Sequence, residues 1–336
     1  MEISLLSLIP KTSQNKYFYQ NGLSRLIPRL SLKVHSNIEE CEYLWDMFSP
    51  KKSLFDSWNF RYSWYEGYNH KPFFYTLYEG TTPLALLPLC LSYREDGKKR
   101  YEWFGTNWME DNTFFVKEEH FIDLLYAVFP TPIHLNAIEK TSDWTKMPID
   151  AELKPDDPKN IKYLDGYQSM EDLLSTFKKK SRYHLKFDYQ YVKSLRPRIV
   201  VTNKPDMNLM NKMIQMNIDQ FSAKAGDESD LTVPKRAKTY QQMVKNSGRD
   251  YTVKFIEIYI QDRLAGIDFI IEYKNRYYTV KGGIDVNRFQ GISNYMVYVE
   301  FEDALKNGYK LVDCLQIDYG WKHRYFDQYP TYIFEK

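Results

Sequence analysis

Arg288-Phe289-Gln290-Gly291-Ile292-Ser293 decides how this chain of 336 residues is read. A strand-rich block, 251–283, comes before it, and a helix-like segment closing at Asn307-Gly308 comes after. A strand that feeds a glycine-containing turn and then opens a helix aims unpaired main-chain N–H groups at one point. Phosphate or a developing oxyanion is favoured there. A further strand-like run, 310–315, leads into Gly320-Trp321-Lys322-His323-Arg324-Tyr325-Phe326. The remaining sequence reads as support for this region.

Upstream of the turn, three strands are expected over 252–260, 264–273 and 277–282. Gln261-Asp262-Arg263 and Lys274-Asn275-Arg276 join them. Polar connectors between alternating apolar runs make this an antiparallel meander. Helices precede it over 206–221 and 234–245, the second with Pro234 at the position helix entry prefers. A strand over 197–201 and helices over 170–177 and 178–192 come before those. In the first half, Ser36 or Asn37 caps a helix whose first turn carries Glu39 and Glu40 at its positive end. An aromatic helix follows over 57–68, then strands over 73–78, 83–93 and 100–104, a helix over 121–129 and a strand over 133–138. Both halves run helix, helix, meander, helix, strand with no repeat of residue identities, which points to an architectural duplication. The polar stretch 148–162, containing Lys154-Pro155-Asp156-Asp157-Pro158, reads as the boundary. The expected organisation is an N-terminal arm over 1–30, one domain over 31–160 and a second over 161–336.

The length exceeds what one core usually organises. With 43% hydrophobic and 27% charged residues, the chain is neither disordered nor membrane-embedded in composition. Its 29 tyrosines fit half-buried strands. A net charge of +2 excludes bulk binding to nucleic acid, so no DNA partner is expected and only a local basic patch could meet a polyanion. Cys41, Cys90 and Cys314 are odd in number and far apart, and the six histidines show no ligand spacing. No disulfide framework and no metal are expected. No apolar run approaches the ~20 residues of a membrane span. Residues 1–10 hold an apolar patch without the flanking features of a secretion signal. The expected setting is cytoplasmic, with peripheral membrane contact left open.

Four stretches carry a family resemblance. They are the basic run Lys178-Lys179-Lys180-Ser181-Arg182-Tyr183-His184-Leu185-Lys186; the pair Leu264-Ala265-Gly266-Ile267-Asp268-Phe269 and Tyr277-Tyr278-Thr279-Val280-Lys281-Gly282-Gly283; the helix 295–305 closed by Asn307-Gly308-Tyr309-Lys310; and Gly320-Trp321-Lys322-His323-Arg324-Tyr325, which resembles an aromatic-Lys-x-x-aromatic signature. The C-terminal half resembles the GNAT acyltransferase fold, and 31–336 is similar to the FemAB-like branch. The resemblance implies an α+β protein of two tandem GNAT-like domains, each a mixed, mostly antiparallel sheet flanked by helices. It implies N-acyl transfer from a small-molecule acyl donor, acyl-CoA, to an amine acceptor, in cell-envelope or polysaccharide modification. An aminoacyl-tRNA-dependent transferase is the second reading, and a non-catalytic GNAT-like binding module the third. Two departures stand out. Ser293 replaces the last small residue of Gln/Arg-x-x-Gly-x-Gly/Ala, and no long charged heptad stretch matches the hairpin of peptidoglycan-building members, which places tRNA behind acyl-CoA.

Residue roles follow from the chemistry. The donor's pyrophosphate would rest on the N–H groups of Gly291, Ile292, Ser293 and Asn294, with Arg288 beside them. Lys322, flanked by Trp321 and Tyr325, could be held against aromatic faces and stabilise a phosphate or an oxyanion. Trp321 and Tyr325 would bind substrate, as would Lys180 and Arg182 of the basic run. Asp268, in the apolar run 267–271, and Asp313, between Val312 and Cys314, are the catalytic carboxylates, with Asp285 and Asp318 as alternatives. Asp227-Glu228-Ser229-Asp230 could meet a cationic acceptor. All of this expects the helix entry and the Trp321 tail to converge on one solvent-open hollow.

Overall fold

The computed structural model describes residues 2–4, 29–93, 97–118, 121–139, 152–222 and 228–336. Most of the expected arm, the start of the polar boundary stretch and Asp227 lie outside the described residues. The chain divides into two compact units, one of Met1–Tyr65, Asn69–Asp156 and Thr331–Lys336, the other of Glu66–Tyr68 and Asp157–Pro330.

In the first unit, strands β1 (Glu2–Ser4), β2 (Leu30–His35), β3 (Lys71–Glu79), β4 (Thr82–Tyr93) and β5 (Lys99–Trp103) lie in sequence order, and β6 (Phe115–Val116) pairs with β4. Helix α1 (Ile38–Phe48) starts where Asn37 Oδ1 accepts the Glu40 N–H at 3.0 Å, and Ser57 caps α2 (Trp58–Tyr68) in the same way. Helix α3 (Phe121–Ala127) and strand β7 (His134–Ile138) complete the run. Trp45, Trp58, Phe74 and Phe104 pack together in the core. Buried Arg61 donates to the Phe55 and Phe104 carbonyls and to Asn112 Oδ1, with its guanidinium 4.9 Å from the Trp45 ring.

The second unit repeats this plan. Strand β8 (Leu153–Tyr163) and helices α4 (Met170–Ser175) and α5 (Lys179–Ser194) lead to β9 (Arg198–Thr202). Then come α6 (Met207–Ser222), α7 (Pro234–Lys245), the meander β10 (Thr252–Ile260), β11 (Arg263–Tyr273) and β12 (Arg276–Ile284), helix α8 (Ile292–Lys306) and β13 (Leu311–Asp313). The strand order is β8-β13-β12-β11-β10-β9. The duplication read from the sequence is present: strand, helix, helix, meander, helix, strand runs from β2 to β7 and again from β9 to β13. The buried face of α8, including Ile292, Met296 and Ala304, joins Ile256, Ile258 and Ile270 of the sheet in one core.

Two segments differ from expectation. The proline-rich stretch read as the domain boundary, within which the two units divide, forms strand β8 over Leu153–Tyr163, and it pairs with β13 through Ile161, Lys162 and Tyr163. Pro155 and Pro158 precede that register, so neither removes a donor from it. Strand β14 (Asp327–Glu335) was not anticipated; its last residues pair with β7. Among the described residues no helix is long and apolar enough to cross a membrane, and no cluster of side chains could hold a metal ion.

Candidate active site

The site is built on a divergence of strands. Among the named strands described, β12 and β13 form a parallel pair, and their register covers only Arg276↔Leu311, Tyr277↔Val312 and Tyr278↔Asp313. Beyond Tyr278 and Asp313 they part. On that side β12 runs from Thr279 to Ile284 without a strand partner; Asn217 and Gln220 of α6 take the Gly282 carbonyl and the Ile284 N–H, and the main-chain groups before them are left for a ligand. The chain leaving β13 turns away through Leu315 and Ile317, both at φ 61°. That conformation is costly for a β-branched isoleucine.

Lys322 holds this turn. Its ammonium is buried and donates to the carbonyls of Cys314 and Leu315 and, at 2.7 Å, to that of Gln316. The aromatic contact expected from Trp321 and Tyr325 is made instead by Tyr319, whose ring centre lies 5.8 Å from the ammonium. Trp321 packs edge-on to Phe326. Asp318 fixes the approach to Lys322 by accepting the N–H groups of Trp321 and Lys322 at 2.9 and 2.8 Å. The Cys314 thiol faces Thr279 across the gap. Burial pushes it up to about 11, against the opposing pull of Lys322, so it stays protonated near neutrality and is a poor nucleophile.

Asp268 sits at the other wall. It projects from β11 opposite Gly282 of β12, and a Cβ on Gly282 would collide with its carboxylate. The glycine is what gives the carboxylate room, a close approach that a strand glycine commonly marks. Asp268 is half-buried and hydrogen-bonded to Glu300 of α8, which is only 6% exposed. Two carboxyls this close in a poorly solvated place share a proton. Burial raises Asp268 to about 7, while Glu300 is driven well above the ordinary range by burial and by Asp268. At neutral pH the pair therefore retains a proton between its two carboxyls.

Asp313 is placed differently. It is fully buried, lies 3.1 Å from the Lys159 ammonium and accepts the Leu315 N–H at 3.0 Å. A carboxylate committed to a buried cation and to the chain leaving β13 is a fixed support, not a proton carrier. Asp285 accepts the Arg288 N–H and faces the Arg288 guanidinium at 3.6 Å, so Arg288 is engaged with its own turn.

The helix entry and the tail do meet, but side chains fill the place where they touch. Tyr325 donates its hydroxyl to Asn294 Oδ1 at 2.9 Å, and Asn294 Nδ2 donates to Asp188 of α5 at 2.6 Å. A Cβ on Gly291, the left-handed N-cap of α8, would lie 3.1 Å from the Asp188 carboxylate. The Ile292 N–H is spent on Phe289 O. An anion is therefore already present where Gly291, Ile292, Ser293 and Asn294 were expected to receive pyrophosphate, and these residues as arranged do not fit that group. The expected hollow is closed at this point. Of the basic run, Arg182 donates to Ser175 O, and Lys180 is exposed on α5. Of the acidic loop, Asp230 bridges Lys281 at 2.6 Å and Arg236 at 3.1 Å.

Gly282 faces Asp268 while Gly283 lies against Met216 and Asn217 of α6, as alternation along a strand requires. A cavity of about 550 Å³ opens on the α6 side, lined by Lys212, Met216, Asp219, Ile284, Asp285 and Asn287, away from the carboxyl pair.

Comparison with known proteins now gives the class. Residues 179–323 match the family model of the acetyltransferase (GNAT) domain. FemX matches with a TM-score of 0.55 at 10% identity, covering 91% of this chain and 95% of its own. The C-terminal domain of a putative lysylphosphatidylglycerol synthetase from Agrobacterium fabrum scores 0.54 at 9% identity over 89% and 92% of the two chains. A tandem GNAT protein from the clavulanic acid biosynthesis pathway scores 0.52 at 11% identity over 91% and 97%. At these identities the likeness is one of fold. No curated protein matches the sequence. Within the second unit, 179–323 match a GNAT domain model, and the whole chain shares the fold of FemX and of the tandem GNAT protein.

Proposed function

We propose that the second unit transfers an acyl group from an activated ester or thioester to an amine, with Asp268 as the base and Glu300 as its proton-sharing partner. The amine nitrogen attacks the acyl carbonyl carbon and the new C–N bond forms. The carbonyl oxygen, now negative, is met by main-chain N–H groups at the open edge of β12. The nitrogen gives its proton to Asp268. The bond to the leaving oxygen or sulfur breaks, and that atom takes the proton from Asp268. Lys322 contributes by fixing the wall opposite β12, and Asp313 with Lys159 fixes the strand beneath it.

The supporting observation is the Asp268–Glu300 pair at the strand divergence of a GNAT domain, since a base near pH 7 is suited to general catalysis at neutral pH. The acceptor proposed is an amine of the cell envelope. Asp188 at the head of α8 favours a second reading of the donor, an aminoacyl-tRNA ester, because it removes the seat a CoA pyrophosphate would need.

The test is product formation by mass spectrometry with an amine panel and, in turn, acetyl-CoA, longer acyl-CoAs and aminoacyl-tRNA. Asp268→Asn should lower turnover by roughly 10²- to 10⁴-fold without lowering the melting temperature. A variant as fast as wild type removes Asp268 from the reaction, and no product with any donor would make the unit a binding module.

A further inference from the structure

Helix α5 has two unlike faces. Leu185 and Val192 are buried in the core shared with α8. On the opposite face Tyr183, Phe187 and Tyr191 are 63%, 52% and 42% exposed. Their four-residue spacing sets them in a line about 12 Å long along the helix. Large apolar side chains scattered singly over a surface need no explanation, but an aligned set on one helix does.

At the upstream end of this line Lys178, Lys179 and Lys180 are all exposed. The first turn contains no acid, and the N-cap makes no side-chain hydrogen bond. Cations at the positive end of a helix are unfavourable in isolation. Downstream, Lys186 is tied to Glu171 and Lys193 donates to the Tyr189 hydroxyl, so the unengaged charge is concentrated at the start. Residues 178–198 hold eight Lys or Arg and one acid, whereas the whole chain has an excess of only two, so the rest of the chain is net acidic. Such segregation draws a polyanion to one place.

We propose that this face of α5 docks on an anionic lipid bilayer, with the three lysines among headgroup phosphates and the three rings at the boundary with the acyl chains. A basic, aromatic amphipathic helix with one face already packed has the composition of an interfacial helix. The ring geometry selects lipid over single-stranded nucleic acid. Base stacking needs open ring faces. Tyr183 already stacks on Phe187, at 6.1 Å and 22°, and meets His184 edge-on at 5.7 Å. Phe187 carries no polar group, which suits insertion among lipids better than display to water. This inference is independent of the acyl-transfer proposal, and its readout needs no turnover.

The test is flotation of the full chain with vesicles of phosphatidylglycerol and phosphatidylcholine, against vesicles of phosphatidylcholine alone. Binding is expected to the anionic vesicles and to weaken with salt. Removing the lysines singly (Lys178→Gln, Lys179→Gln, Lys180→Gln) should weaken it roughly fivefold each. Tyr183→Ser with Phe187→Ser keeps the net charge and should also abolish flotation, with the melting temperature checked to show that the fold is intact. A Phe187→Cys chain carrying an environment-sensitive fluorophore should shift its emission to the blue on the anionic vesicles. Absence of binding to anionic vesicles overturns the proposal. So does binding that ignores the loss of both rings, or a structured RNA that displaces the protein from the vesicles at equal phosphate.

Discussion

Asp268 and Glu300 show what a residue becomes when its partner is fixed by the fold. Asp268 alone, in an apolar strand, could have been a solvated side chain; opposite Gly282 and against Glu300 it is a carboxyl raised to about 7. Carboxyl carbon NMR should find Asp268 titrating near there, and Glu300→Leu, which removes the hydrogen bond that favours the Asp268 carboxylate, should raise it further. An unmoved titration would mean that burial alone sets it. Lys322 changes role by the same logic. Its ammonium donates to the carbonyls of three consecutive residues; that of Leu315 is also held by Asn160, and a buried carbonyl such as that of Cys314 costs roughly 1–3 kcal/mol if left unpaired. Lys322→Met should therefore lower the melting temperature together with turnover, whereas loss of turnover alone would give the ammonium a direct part in the chemistry. Glu300 itself was open to detection in the sequence, since it falls four residues from both Met296 and Ala304 on the apolar stripe of its helix. The strand residue it would meet could not be read.

At the scale of elements, α8 forms where the sequence placed it, but its first turn is occupied rather than open. The sequence Arg288 to Ser293 announced a strand–turn–helix, and Gly291 at φ 78° is the left-handed residue that turn needs. What arrives at the turn is Asp188 from α5, 103 residues earlier in the chain, a contact with no local signature. Acetyl-CoA should leave the melting temperature of the wild type unchanged. If Asp188 is what excludes the pyrophosphate, Asp188→Ala should gain a thermal shift with acetyl-CoA. A shift in the wild type would show that Asp188 yields to the ligand. On the strand side, Gly282→Ala must displace the Asp268 carboxylate, so it should lower turnover and alter the Asp268 titration. Wild-type values for both would show that the carboxylate has room to spare.

For the whole molecule, the carboxyl pair makes stability depend on pH with a definite sign. The unfolded chain releases the Asp268 proton near the ordinary value of about 4, while the folded chain keeps it to about 7. Between those values the native state binds more protons, so stability falls as pH rises through the window. Asp268→Asn should raise the melting temperature relative to wild type at pH 8, with the difference shrinking toward pH 4. An equal difference at both values would uncouple the pair from folding.

The sequence by itself determined the element order and its duplication, because periodicity, caps and turn residues act within a few positions. Asn37, Ser57, Pro234 and the polar connectors of the meander sit where they were read. The α+β class followed from the family resemblance that those elements carry. The sequence did not show that the polar stretch at 153–163 is a strand, because proline and aspartate report local turn preference while the pairing of β8 with β13 depends on residues about 150 positions away. Only the tertiary structure decided that β12 and β13 separate after three residue pairs, that Asp188 closes the head of α8, that Lys322 grips its own loop, and that Asp268 meets Glu300. Apart from the Lys322 loop, whose shape is set by where β13 ends, each depends on elements distant in sequence and on the packing of the sheet against its helices, and no local pattern encodes such a distance.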